Sequence, residues 1–347
     1  MAKPPLAGRE YITLCDVLED GWRKSGRQIR VSDPGWVKVL DVASGESIRI
    51  DIPFFGHSIV QNPAHPEQLV VFEKWGLRGA MVDVKEKALL ATTESMEDNI
   101  FFGHLAFNSD ASLLVATEAN YRLGSDDGFL VIRDPSTLKV VTRHSSYGPI
   151  PHQCRTIDNG KTIVVLNQPV GLVPGNLAWI DFESGRLLNK IPLSLIMYGH
   201  FSISHDGWIC VGGTLEKGQR DLIIFISPEG KIFPMSIPDT VVEQINGEAL
   251  SIEYLNRGDL VGITLPSADL VLVMDYKKQT VLHSVQVKSP KGLLPGTADM
   301  GGLQNMIVSS YKDRNLLSIE TTKDRPETTV IDSPFGGFAS HITRFYI

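Results

Sequence analysis

The chain has 347 residues, of which 42% are hydrophobic and 21% charged, and a net charge of −7. A nucleic-acid binder normally carries a basic stripe that pairs with phosphates, and none is visible. No apolar run approaches the ~18 residues of a membrane span. The N-terminal stretch MAKPPLAGREYITLC lacks the apolar core of a secretory signal. The chain therefore reads as soluble and cytoplasmic, or periplasmic if a leader has been removed. Cys15, Cys154 and Cys210 are odd in number and far apart, which argues against a disulfide framework; Cys154 and Cys210 lie in apolar strand patterns, which points to buried, inert thiols.

In chain order, three strand patterns come first: EYITLCDV, GWVKVLDVA and SIRIDIP. A repeating unit follows. It opens on His57 in GHSIVQNPAHPEQLVVFE and recurs at His104 in GHLAFNSDASLLVATE, His152 in PHQCRTIDNGKTIVVLN and His200 in GHFSISHDGWICVGG, at spacings of 47, 48 and 48 residues. Another 48 residues on, Glu248 stands in the same place in GEALSIEYLNRGDLVGIT. A sixth copy, GGLQNMIVSSYKDRNLLSIE, is weaker, and the chain finishes on ASHITRFYI with His341.

Inside a copy, short alternating runs rich in β-branched and aromatic residues are split by Asp, Asn, Gly, Pro and Ser, the pattern of strands and turns. Four strands per ~48 residues is the period of a β-propeller blade. Helical patterning is nearly absent; DTVVEQING allows a turn or two. The final copy supplies one strand, and the N-terminus holds three without a partner. The expectation is an all-β, seven-bladed propeller forming a single domain over residues 1–347, closed by a blade from residues 8–54 plus 339–347. Such closure leaves no open sheet edge.

The run FFGHLAFNSDASLLVATEANYRLGSDDGFLVIRD followed by YGPIPHQCRTIDNGKTIVVLNQ resembles the bacterial family of proteins of unknown function numbered 1513, most closely over residues 50–215. His104, Glu118, Asn120 and His152 occupy matching places. The resemblance implies a propeller of the YVTN or quinoprotein-like kind and no established activity. The third copy has PVGLVPGN where the family carries a longer loop. Relatives often bear export signals.

The first strand of each blade lines a propeller's channel, so a residue repeated at its start gathers near one channel mouth. His57, His104, His152, His200, His341 and Glu248 are thus candidate ligands of a transition metal, copper or iron before zinc, since imidazole suits these ions. Glu73 and Glu118, at the ends of second strands, are candidates to orient the imidazoles or act as general base. Trp75, Arg78, Tyr121, Arg122 and Asn167 are candidates for the wall of a substrate pocket. On this reading the protein is a metal-dependent oxidoreductase with a small-molecule ligand. On the competing reading it is a non-catalytic scaffold that binds a protein or small ligand at its rim. In that case each histidine is a buried neutral imidazole bonded to a backbone carbonyl.

Overall fold

A computed structural model of the protein describes residues 8–17, 23–24, 30–120, 128–194, 196–215, 222–235, 237, 239–243, 247–255, 259–297, 305–321, 326–332 and 341–347. Its sheets are antiparallel and form seven four-stranded blades arranged in a ring, a β-propeller. Contacts gather the chain into two compact units, Ala7–Met197 with Thr343–Ile347, and Tyr198–Ile342.

The first unit contains four blades. One joins both chain ends, in the order Ile342–Tyr346, Glu10–Val17, Gly35–Asp41, Ser47–Ile52. The next runs from Ser58–Gln61 through Gln68–Phe72 and Arg78–Asp83 to Ala88–Glu94. A third runs from Asn99–Phe107 through Leu114–Asn120 and Gly128–Arg133 to Val140–Ser145. It gains a short fifth strand, Lys74–Gly76, donated by the preceding blade onto the free edge of Asn99–Phe107. The fourth spans Ile150–Ile157 to Leu187–Pro192. The second unit holds the blades that begin at Tyr198–Ile203, Ile252–Tyr254 and Pro290–Pro295. One helical turn, Asp239–Val242, lies where the sequence allowed a turn or two. Among the described residues no helix is long and apolar enough to cross a membrane.

Burial grades along each blade. The second strand, such as Thr162–Gln168, is buried throughout, whereas outermost strands such as Val140–Ser145 are largely exposed. That gradient explains why the middle strands read as unbroken apolar runs: neighbouring blades cover both faces. The turn into the outermost strand has its own recurring device. Asp41, Asp83, Asp134, Asp181 and Asp275 each accept backbone N–H groups from two or three residues further on. This side-chain mimicry of a turn suits Asp. Hydrogen bonds from Ser136 and Thr137 hold the Asp134 carboxyl below the usual carboxylate range.

The closing blade is latched by side chains as well as by its ladder. Phe345 stacks on Tyr11 with ring centroids 5.2 Å apart, and Arg344 pairs with Glu10 at 2.6 Å. The Thr343 hydroxyl donates to the Ile59 carbonyl of the next blade at 2.8 Å. Phe345 is fully buried. Phe345→Ala is expected to lower unfolding free energy by about 3–5 kcal/mol, read by denaturant titration. All three cysteines are buried and unbridged. Burial pushes the Cys154 thiol up to about 12 and raises Cys15 and Cys210 as well. A disulfide-exchange reagent at pH 8 should therefore label no cysteine in the folded protein and all three in guanidinium.

Candidate metal centre

His57 immediately precedes the strand Ser58–Gln61, and its backbone N–H donates to the Phe72 carbonyl at 2.9 Å. His104 and His152 lie within the strands Asn99–Phe107 and Ile150–Ile157. All three are buried. The rings of His57 and His104 meet edge to face with centroids 5.0 Å apart, those of His104 and His152 at 5.2 Å, and those of His57 and His152 at 6.4 Å. The Thr117 hydroxyl lies 3.2 Å from the His104 carbonyl and 3.0 Å from that of His152, and so ties the two histidine-bearing strands together.

The glycine before the histidine clears space for a neighbour. Gly103 has φ +85, and a Cβ there would lie 2.6 Å from Cδ2 and 2.8 Å from Cβ of His57. A side chain at position 103 would push the first imidazole out of place. The histidine strands also leave the regular ladder at this point. Pairing shifts register between Phe101 and Leu105, between Pro151 and Cys154, and between Tyr198 and His200. Bulges of this kind re-aim a side chain.

In the other unit, His200 and His341 pack with ring centroids 4.9 Å apart. One candidate ligand nitrogen from each of His57, His104, His200 and His341 falls within 4.8 Å of all the others. The first three residues are buried and His341 is half-buried. Nitrogens on a single ion, with bonds of about 2.0–2.1 Å, stand at most about 4.2 Å apart. Four nitrogens on a tetrahedral ion stand about 3.3–3.4 Å apart, so closing on one ion draws the widest-set imidazoles together by up to about 1.5 Å. Nε2 of His57, His104 and His341 and Nδ1 of His200 are buried and make no hydrogen bond, although each residue keeps other interactions.

The other sequence candidates are placed differently. Glu248 is exposed, pairs with Thr214 in a short ladder, and lies outside the four-histidine group. The Glu118 carboxylate is completely buried and bonded to Arg133 at 2.6 Å, with further bonds from the Met96 N–H and the Asn99 amide. Glu73 accepts from the Ser32 hydroxyl at 2.6 Å and from the Arg78 guanidinium and N–H. Arg78 also donates to the carbonyls of Pro53 and Ser32. Both carboxylates thus serve buried ion pairs within the blades, and none of their hydrogen bonds goes to a histidine. Asn167 bonds to the Ser146 carbonyl and to Asn176, a buried network of the blade itself. Trp75 is half-buried, with its ring centroid 4.8 Å from that of Phe102, which in turn meets His152 at 6.2 Å. Tyr121 and Arg122 lie outside the described residues. Sequence reading passed over Phe102 and Arg133. An apolar strand containing a glutamate needs a cationic partner, and the arginine closing FLVIR was the available signal.

Fold and site together define a seven-bladed β-propeller with a buried histidine cluster that can hold a metal ion. The chain belongs to the DUF1513 family, described as "Protein of unknown function", whose model matches residues 50–344. No curated protein matches the chain in sequence. Among solved structures it is similar to hydrazine synthase of Kuenenia stuttgartiensis, at 13% identity and TM-score 0.64 over 83% of this chain and 90% of that one. A functionally unknown protein from Desulfotomaculum acetoxidans aligns at 13% identity and TM-score 0.56, covering 77% and 83%. A chain of a mitotic checkpoint complex aligns at 10% and 0.59, covering 82% and 83%. At such identities the likeness concerns the fold alone.

Glu118→Gln leaves the Arg133 guanidinium buried without its counter-ion and should cost about 3–5 kcal/mol of stability, measured by chemical denaturation. Gly103→Ala forces a side chain into a left-handed backbone and against His57. A loss of about 1–3 kcal/mol from the backbone alone is expected, with a shifted His57 resonance in histidine-selective NMR.

Proposed function

We propose that the protein binds a transition metal ion through His57, His104, His200 and His341, with His152 beside them as a fifth imidazole. The observation that carries this reading is the convergence of four imidazole nitrogens within 4.8 Å of one another. Four neutral nitrogen donors with no carboxylate in the group favour borderline ions over hard ones such as calcium or magnesium. Copper comes first, because affinity for nitrogen sites peaks at Cu(II), with iron as the alternative and zinc third.

A bound copper or iron ion would supply one-electron redox chemistry, and an oxidoreductase is the activity this reading supports. The protein's own contribution is positional. The register shifts at Phe101/Leu105 and Tyr198/His200 aim the imidazoles, and the Thr117 hydroxyl fixes the spacing between neighbouring strands. Burial of the rings keeps bulk water from competing for the donors. Glu73 and Glu118 act on this site only through the ion pairs that brace the blades around it.

The test is elemental analysis of protein prepared without a polyhistidine tag and dialysed against a weak chelator. About one equivalent of copper or iron is expected in the native protein, and less than a tenth of that in a His104→Ala/His200→Ala variant, with His144→Ala as a control for an outer-strand histidine. Metal-free native protein whose melting temperature ignores added copper, iron and zinc would refute the reading and favour a non-catalytic scaffold.

A further inference from the structure

The third and fourth blades, both in the first compact unit, are clasped together at two places. At one, the turns that follow their first strands meet. Gly160 has φ +77, and a Cβ there would lie 2.2 Å from the Ser109 nitrogen, so one turn rests directly on the other. The Thr156 hydroxyl donates to the Phe107 carbonyl at 2.9 Å just before these turns. At the second place, a ring nitrogen of His144 lies 3.1 Å from the Phe182 carbonyl, and the Tyr147 hydroxyl donates to the Gly185 carbonyl at 2.9 Å. Residues of both clasps line a cleft of about 580 Å³ between the blades, a volume ordinary for a small-molecule site. The clasps hold it open without a ligand.

Its lining divides by chemistry. Ile132 and Phe182 are buried and Leu113 is half-buried, so the inner wall is apolar. Val141 extends that wall and is 57% exposed, apolar surface that the chain leaves uncovered. The outer part carries three carboxylates, Asp110, Asp181 and Glu183, against a single ammonium, Lys161. Asp110 accepts from the hydroxyl and N–H of Ser112, and Asp181 from those of Ser184. These bonds hold both carboxyls below the usual carboxylate range, so both are charged at neutral pH. Among the described residues none of the three carboxylates forms an ion pair. The cleft thus repels an anion, and its apolar wall offers nothing to a bare metal cation.

We propose that this cleft binds a small organic ammonium ion, its charged head among Asp110, Asp181 and Glu183 and its apolar body against Leu113, Val141 and Phe182. Charge-assisted hydrogen bonds from the head satisfy carboxylates that have no cation of their own. The body covers the exposed face of Val141 and removes that area from water. The site is separate from the histidine cluster and does not depend on the metal reading.

The experiment is a ligand-detected NMR titration of the full-length protein with three probes. Phenethylammonium has both head and body, phenethyl alcohol has the body without the charge, and ethylammonium has the charge with little body. Phenethylammonium should bind roughly tenfold more tightly than either of the others. In an Asp110→Asn/Glu183→Gln variant, which keeps the turn acceptor at 110, its advantage over the alcohol should fall to about twofold or less, with the melting temperature unchanged. Val141→Lys, on an exposed outer strand, should abolish its binding. Absence of binding, equal affinity for ethylammonium, equal affinity for phenethyl alcohol, or an undiminished advantage in the double variant would each overturn the proposal. The His104→Ala/His200→Ala variant should bind phenethylammonium as the native protein does, so the metal reading and this one stand or fall separately.

Discussion

Imidazoles from successive strands come into contact where the strands of His104, His152 and His200 give up the regular pleat for a residue or two. A uniform ladder would alternate side chains between two faces and hold every strand at its blade's own spacing. Here the departures sit beside the histidines, at Phe101/Leu105, Pro151/Cys154 and Tyr198/His200. Gly103 removes the one side chain that would block His57. Other shifts fall mainly on the pairing with the outermost strands, as at Ile132/Arg133 and Trp179/Ile180, and one stands at Pro290/Leu293; the pairing between second and third strands is regular and opposes any slip in register. Local irregularity is tolerated because the surrounding sheets over-determine it.

The blades are also held rigid by charges kept away from solvent. Arg133 bonds to Glu118, the Leu138 and Glu94 carbonyls and the Thr93 hydroxyl, and lies over the Phe101 ring at 5.0 Å. Such a hub stabilises little relative to an apolar core, yet losing one member is costly. It serves to fix the strand that leads into His104. In the preceding blade Glu73 and Arg78 act in the same way, bracing the loop of Trp75. Electrostatics in this protein thus act on geometry first, and reach the histidines through backbone placement.

The architecture was legible because it is written many times. A 47–48-residue period, buried middle strands and Asp-led turns repeat often enough that no single ambiguous run mattered. The convergence of His57, His104, His200 and His341 follows from the same period. Glu248 shares the spacing but not the environment: its short strand Gly247–Glu248 pairs with the end of Ile209–Leu215 and leaves the carboxylate exposed. Period alone cannot reveal such a local change of partner. The partners of Glu73 and Glu118 were hidden for another reason. Their positions at strand ends suggested imidazole partners, but the arginines that claim them lie five and fifteen residues further on, across a turn that sequence distance does not resolve. Trp75 has a left-handed backbone, φ 62, which left no trace in the sequence, since tryptophan is not a residue expected there.

The shared blade has a consequence for biosynthesis. Strand Glu10–Val17 leaves a ribosome long before its neighbour Ile342–Tyr346. The bond from the Gln61 amide to the Tyr346 carbonyl spans 285 residues. Until Ile342–Tyr346 has been made, that earlier strand presents an unpaired edge, open to wrong partners in neighbouring nascent chains. Chaperone capture of Glu10–Val17, or slow elongation up to Ile342–Tyr346, would change the yield of native protein without altering a single contact in it.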